Sequence, residues 1–187
     1  MTLPIQSKRI ILRRFIHADI PDLLEFVAHP SVADEVQEMG ATEAEIRDYI
    51  EMQNSFQPFE PHKVFDLAIE RRADNKLIGI LTTIIKHHRK AEIGYGLGID
   101  HRGQGYATEA ARALMDYGFS ELRLHRVQGI ASSGNPASLR VMERLDMKLE
   151  ARLREANMRD GEWCDLLYYG ILENEWRPNK GIDNFDE

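Results

Sequence analysis

The sequence predicts a single-domain α/β protein of the α+β kind, with one mixed, mostly antiparallel sheet flanked by helices. Three observations predict it. The 187 residues, 43% of them hydrophobic, suffice for one sizeable core, with two small domains as the only other division. The hydrophobic period switches between two residues and 3.6 in the order β-α-α-β-β-β-α-β-α-β-β, without an internal repeat. Residues 91–132 read strand–helix–strand, a candidate right-handed crossover with parallel flanking strands.

Each element follows from local chemistry. RIILRRF at 9–15 alternates as a strand, and HADIPDLLEFVAHP reads as a short helix ended by His29-Pro30. Thr42 opens TEAEIRDYIEMQNSF, where Thr-x-x-Glu puts Glu45 at the reciprocal capping position and Ile46, Ile50 and Gln53 follow at helical spacing. Residues 64–86 read as two strands joined by turn chemistry at Ala73-Asp74-Asn75. After a basic turn at 87–90 comes AEIGYGLGI, a third strand whose Gly94, Gly96 and Gly98 predict a bulge or the close approach of another backbone.

Residues 105–122 read as a helix with Ala107, Ala110, Ala111, Leu114 and Tyr117 or Gly118 along its buried stripe. HRVQGIAS at 125–132 is a strand. NPASLRVMERLDM begins a helix with Asn135 as cap and Pro136 in the first turn, burying Ala137, Val141, Met142 and Leu145. The remainder is a long β-hairpin turning at Arg159-Asp160-Gly161. The expected division is a folded domain over 1–177 and a polar, disordered tail over 178–187.

Composition narrows the function. A net charge of −7 argues against general nucleic-acid binding, which needs a basic surface, and suits cationic, amine-bearing substrates. The single Cys164 excludes an internal disulfide and reads as strand packing. No apolar run approaches the roughly 20 residues that span a bilayer, and MTLPIQSKRI lacks a signal-peptide core, so the expected location is the cytoplasm. The histidines lack metal-ligand spacing with a third ligand, so no metal site is expected.

The most informative stretch is HRGQGYATEA at 101–110. It follows a strand and opens a helix, where unpaired N–H groups and the helix dipole bind anionic oxygen. Gly103 and Gly105 permit close approach, and a diphosphate is the natural guest. A nucleoside-triphosphate loop requires Gly-Lys-Ser/Thr, whereas Gly105 is followed by Tyr-Ala-Thr-Glu. A dinucleotide fingerprint needs glycine or alanine where Thr108 stands, and an antiparallel meander precedes the loop.

Arg102-Gly103-Gln104-Gly105-Tyr106-Ala107 resembles the Arg/Gln-x-x-Gly-x-Gly/Ala signature of the GCN5-related N-acetyltransferase (GNAT) superfamily. Gly105-Tyr106-Ala107-Thr108-Glu109-Ala110 looks like its ribosomal-protein N-acetyltransferase branch. AEIGYGLG before the signature, Asn135-x-x-Ser138 after it and GEWCDLLYYGILENEW at the closing hairpin agree, in the family's order. The resemblance implies an acetyl-CoA-dependent acyl-CoA N-acyltransferase fold with a splayed parallel pair of strands.

By the same resemblance, amides of Arg102, Gly103, Gln104, Gly105, Tyr106 and Ala107 hold the pyrophosphate of coenzyme A. The pantetheine arm lies between the strands of Gly94 and Arg126, near Leu97, Gly98 and Ile99, with Asn135 touching it. For Asn135 a plain helix cap is the competing reading. The implied reaction is attack of a neutral amine on the acetyl thioester through a tetrahedral intermediate. An α-amino group near pKa 8 and a lysine near 10.4 leave roughly a tenth and under a thousandth neutral at pH 7, so a base is useful.

Glu92 is the leading base, where histone-acetylating members carry their glutamate, against the alternative of a strand carboxylate paired with Lys90 or Arg89. Glu155 is the next candidate. A main-chain amide around Leu97 or Gly98 is expected to meet the oxyanion. Met142 stands where many members carry a tyrosine acid, so Ser138 is the carried-over donor to the departing sulfur. The usual Leu-Gly-Phe helix end is Leu145-Asp146-Met147 here, which loosens the cap and its packing.

The implied acceptor is an amine, of a protein N-terminus or a small molecule, walled by residues 29–62 with Phe56 and Phe59. No membrane partner is expected, and the chain is a monomer or homodimer. The alternative is a catalytically inactive acyl-CoA-binding sensor, motivated by the missing tyrosine.

Overall fold

Hairpin chemistry on both sides of one crossover builds a single sheet with one parallel joint. The computed structural model describes residues 3–29, 32, 39–159 and 161–178. In chain order these form β1 (Ile5–Gln6), β2 (Ile10–Arg13), α1 (Ile20–Val27), α2 (Glu43–Ser55), β3 (Val64–Arg71), β4 (Leu77–Lys86), β5 (Lys90–Leu97), α3 (Tyr106–Ser120), β6 (Arg126–Ser132), α4 (Pro136–Arg144), β7 (Lys148–Arg159) and β8 (Glu162–Leu172). The sheet order is β1-β2-β3-β4-β5-β6-β8-β7, and β5 with β6 is its parallel pair.

Helices cover both faces. α3 and α4 pack Ala110, Ala111, Leu114, Met142 and Leu145 on Leu67, Ile69, Ile93 and Val127. α1 and α2 pack Leu23, Phe26, Ile46 and Ile50 on Ala68 and Ile80 across the sheet. Thr42 caps α2 as its spacing predicts: Glu45 N–H donates to Thr42 Oγ1 at 3.3 Å and Thr42 N–H donates to Glu45 Oε2 at 2.9 Å. Buried Trp176 follows β8, and its Nε1–H donates to Asp116 of α3 at 2.9 Å. Among the described residues no helix is long and apolar enough to cross a membrane.

The structure departs from the sequence reading in several places. β1 was not expected, because two residues beside Pro4 carry no period. α1 stops at Val27, and Pro30, the expected breaker, lies outside the described residues, as do Asp160 of the last turn and residues 179–187 of the expected tail. The glycines of β5 mark no bulge: β4 and β5 pair without a shift from Gly79↔Leu97 to Lys86↔Lys90. The close approach is Gly79 against the Gly96 carbonyl, where an added Cβ would sit 2.2 Å from that oxygen. Ala137, expected inside, is exposed, and Phe59, expected at the acceptor wall, is buried in the α3-side core against Phe65 and Tyr117. Asp146 does take the left-handed conformation at the end of α4, with φ +59°, and Met147 is buried behind it.

Candidate active site

The parallel joint is where the sheet opens. β5 and β6 pair only at Lys90↔Arg126, Ala91↔Val127 and Glu92↔Gln128. β4 continues along β5 to Leu97 and β8 along β6 to Ser132, so both strands run on while their mutual ladder stops. Beyond Glu92, the backbone groups of β5 that face β6 have lost their ladder partners on that side. A cleft therefore penetrates the sheet from one helix-covered face to the other.

On the α3 side the cleft has a volume of about 340 Å³ and is lined by Tyr95, Gly96, Leu97, Arg102, Gly103, Gly105, Ala107, Thr108, Asn135, Ala137, Ser138, Arg140, Val141, Arg144 and Arg159. Its charged side chains are all arginines, on a chain whose net charge is −7. Gly103 and Gly105 adopt φ of +76° and +80°, the left-handed region that favours glycine. Gly105 caps α3 without a side-chain acceptor, and the helical ladder starts with Glu109 N–H to the Gly105 carbonyl at 3.0 Å. The N–H groups of Tyr106, Ala107 and Thr108 precede that ladder at the positive end of the helix. Together with four arginines they make a cationic cradle whose chemistry suits anionic oxygens.

That cradle is held from the far edge of the sheet. Glu109, 1% exposed, accepts from Arg9 Nε at 2.6 Å, Arg9 N–H at 2.7 Å and Ser7 Oγ at 2.9 Å. Arg9 Nη1 in turn donates to the Gln104 carbonyl in the loop at 3.0 Å, and its guanidinium lies 4.6 Å from the Tyr106 ring centroid. Glu109 thus ties the first turn of α3 to the β1–β2 edge.

On the α1–α2 side the cleft widens to about 850 Å³, lined by Phe26, Met39, Tyr49, Asp66, Ile80, Thr82, Gly94, Gly129, Met142, Asn157, Met158 and neighbouring residues. Both halves share Tyr95, Gly96, Asn135, Ser138 and Arg159, so they join at the opening between β5 and β6. Tyr95 donates its hydroxyl to the Ser138 carbonyl at 3.0 Å, tying β5 to α4 across the opening. Burial pushes its phenol well above the ordinary value, so it stays a neutral donor.

The candidates read from sequence fall into two groups. Leu97, Arg102, Gly103, Gly105, Ala107, Asn135 and Ser138 line the cleft; Gly98, Ile99, Gln104 and Tyr106 are not among its lining. The Gly98 amide, expected near an oxyanion, instead donates to the Ile78 carbonyl at 3.0 Å. Asn135 caps α4, accepting from Ser138 N–H at 3.1 Å, and lines the cleft as well. Glu92 is the last residue of the β5–β6 ladder and lines neither half of the cleft; it is ion-paired with Lys86 and accepts from Gln128 Nε2 at 2.9 Å. Its partner is neither Lys90 nor Arg89. Glu155 is exposed on β7 and does not line the cleft. Among the described residues no group of three His, Cys, Asp or Glu is arranged to hold a metal.

Sequence reasoning missed Arg140, Arg144 and Arg159, which lie at unremarkable spacing on α4 and the hairpin. It also missed Tyr49, Asp66, Thr82 and Tyr95, which only strand register and helix docking bring to the cleft.

Comparison with known proteins agrees with this geometry. Residues 9–148 match the acetyltransferase (GNAT) domain family. The "Uncharacterized N-acetyltransferase YnaD" of Bacillus subtilis (strain 168) is 30% identical over 174 residues, 92% of this chain and 98% of that one. The "Putative ribosomal N-acetyltransferase YdaF" of the same strain is 38% identical over 109 residues, 57% of this chain and 60% of that one. A crystal structure of a GNAT-family acetyltransferase from Bacillus anthracis superposes with a TM-score of 0.78 at 28% identity, covering 92% of this chain and all of that one.

Proposed function

The chain belongs to the GNAT acetyltransferase family, and on that premise we propose that it transfers acetyl from acetyl-CoA to a primary amine, with a protein N-terminal α-amine as the acceptor. That it is an acetyl-CoA-dependent acetyltransferase follows from the family and from its N-acetyltransferase relatives. The likeness to YdaF, by name a putative ribosomal N-acetyltransferase, supports a protein amine as the acceptor. The observation that carries the reading is the opening of β5 from β6 beyond Glu92, with a cationic, glycine-lined cradle on one face and a large cavity on the other.

Acetyl-CoA supplies a thioester carbonyl that a neutral amine attacks as the thiolate leaves. The residues of this chain do the rest. The amides at the start of α3 and Arg102, Arg140, Arg144 and Arg159 bind the phosphates. The ladder-free edge of β5 accepts the pantetheine amides as a strand would, placing the reacting carbonyl near the shared residues. N–H groups on that edge stabilise the developing oxyanion, since Gly98 is committed to Ile78. Glu92 takes the ammonium proton through water, and Ser138 donates to the departing sulfur.

Thiol release from acetyl-CoA, followed with a panel of primary amines and N-terminal peptides, tests this reading. The expected result is amine-dependent release with a matching acetylated product. Glu92→Gln should lower turnover most at low pH, where the acceptor is most fully protonated, and little affect acetyl-CoA affinity. A pH profile identical to wild type would remove Glu92 from the mechanism. Stabilisation by acetyl-CoA without release on any acceptor would instead identify an inactive acyl-CoA-binding module.

A further inference from the structure

We propose that the donor of this chain is not restricted to acetyl-CoA, and that it uses the short straight-chain thioesters propionyl- and butyryl-CoA about as well. This rests on the N-acetyltransferase reading and widens the acyl group it transfers. In that reading the thioester carbonyl lies near Tyr95, Gly96, Asn135 and Ser138, where the two halves of the cleft join. A chain longer than acetyl then continues into the larger half.

Both strands are bare at that point. The β5–β6 ladder ends at Glu92↔Gln128, and Gly94, Gly96 and Gly129 follow closely on that last rung and line the larger half. The backbone does not demand glycine at Gly94, which lies outside the positive-φ region, and an added Cβ there would meet only the Thr82 Cβ at 3.7 Å, an ordinary contact. A strand glycine with neither reason leaves open space for a ligand to approach. At Gly129 the atom nearest an added Cβ is Met142 Sδ at 3.2 Å, the end of an unbranched side chain that can swing aside.

Register gives the reach of the space. Asp66 is opposite Thr82 and Thr82 is opposite Gly94, and all three line the larger half, so it runs along the sheet for two strand spacings, about 10 Å. Butyryl extends beyond acetyl by two carbon–carbon bonds, about 2.5 Å. A volume of about 850 Å³ holds that chain beside an amine acceptor. Met39, Met142 and Met158 line it with Phe26 and Ile80, so the added methylenes meet apolar atoms. Methionine walls adjust to chains of different length, whereas a stiff β-branched wall fixes one. Chain length leaves the chemistry unchanged: the amine nitrogen forms the C–N bond, the C–S pair leaves on sulfur, and of the two protons lost by the ammonium one reaches water and one the thiol.

Two measurements on the full chain test this. Calorimetric titration without acceptor compares the binding of acetyl-, propionyl- and butyryl-CoA, and thiol release with a primary amine or N-terminal peptide that the protein acetylates compares their kcat/KM. In the wild-type protein the longer donors are expected to bind as tightly as acetyl-CoA and to keep kcat/KM within tenfold of it. Gly94→Val puts branched bulk in front of the acyl chain, and is expected to lower both the affinity and the kcat/KM of butyryl-CoA relative to acetyl-CoA by tenfold or more, with Gly94→Ala in between. Should the valine variant not fold, the alanine variant and the wild-type series decide. Acetyl-CoA turnover with both longer donors more than tenfold poorer in the wild-type protein would overturn the wider donor range and leave the acetyltransferase reading standing. An unchanged butyryl-to-acetyl ratio in folded Gly94→Val would also overturn it, and no turnover of any donor with any acceptor would overturn both.

Discussion

Replacing Glu109 by alanine is expected to lower the melting temperature by about 10 °C. The carboxylate is fully buried and its side chain accepts from Ser7, from the Arg9 amide and from the Arg9 guanidinium. Removing one partner of a buried pair costs about 3–5 kcal/mol, because the remaining donors lose their acceptor where water only partly replaces it. The Arg9 side chain is 33% exposed, which puts the cost at the lower end of that range. A domain of this size loses about 2–4 °C per kcal/mol. The effect reaches function, since Arg9 also braces the Gln104 carbonyl in the loop proposed to hold the phosphates, so KM for acetyl-CoA should rise in the folded fraction. Glu109→Gln keeps the shape and one acceptor oxygen and should lose about half as much. Thermal melts of the three proteins decide it; an alanine variant within 2 °C of wild type would contradict the bracing role.

The second large effect is on the donor substrate. Gly105→Val should weaken acetyl-CoA binding by about tenfold to a hundredfold. Gly105 has φ +80° and ψ 1°, a left-handed conformation that costs a side-chain-bearing residue about 1–2 kcal/mol and a β-branched one more. The chain can relieve that strain only by moving the loop, which turns the first N–H groups of α3 away from the phosphates. Gly105→Ala, with less bulk in the same backbone region, should fall between the two. Calorimetric titration with acetyl-CoA separates the cases, and a valine variant with wild-type affinity would mean that the phosphates bind elsewhere.

Local features of the site were legible in the sequence and long-range ones were not. Gly103, Gly105 and the start of α3 are adjacent in the chain, so strand–glycine–helix order alone points to the glycine-lined part of the cleft. Asn135 and Pro136 announced α4 in the same way. Glu109 was read as part of a motif, and its buried partnership with Arg9, 100 positions away, has no local signature. Arg140, Arg144 and Arg159 come from a helix and a hairpin, and only docking of α4 turns them towards one cleft. Ala137 was assigned to the core because helical period cannot tell a face that packs on protein from one that faces a cleft. Asp66 sits in an apolar strand, VFDLAIE, where its neighbours Tyr49 and Gln53 emerge only when α2 docks on the sheet. Glu92 is singled out by the family resemblance of its strand, while its ion pair with Lys86 depends on the β4–β5 register.

The most direct test of the central claim is a crystal structure of the protein with coenzyme A. The account predicts the pyrophosphate within hydrogen-bond distance of the N–H groups of Tyr106, Ala107 and Thr108, with arginines of the cleft on the phosphates. It predicts the pantetheine arm lying between β5 and β6 beyond Glu92, with its sulfur beside Ser138. Coenzyme A bound on another face, or strands β5 and β6 closed together in its presence, would contradict it.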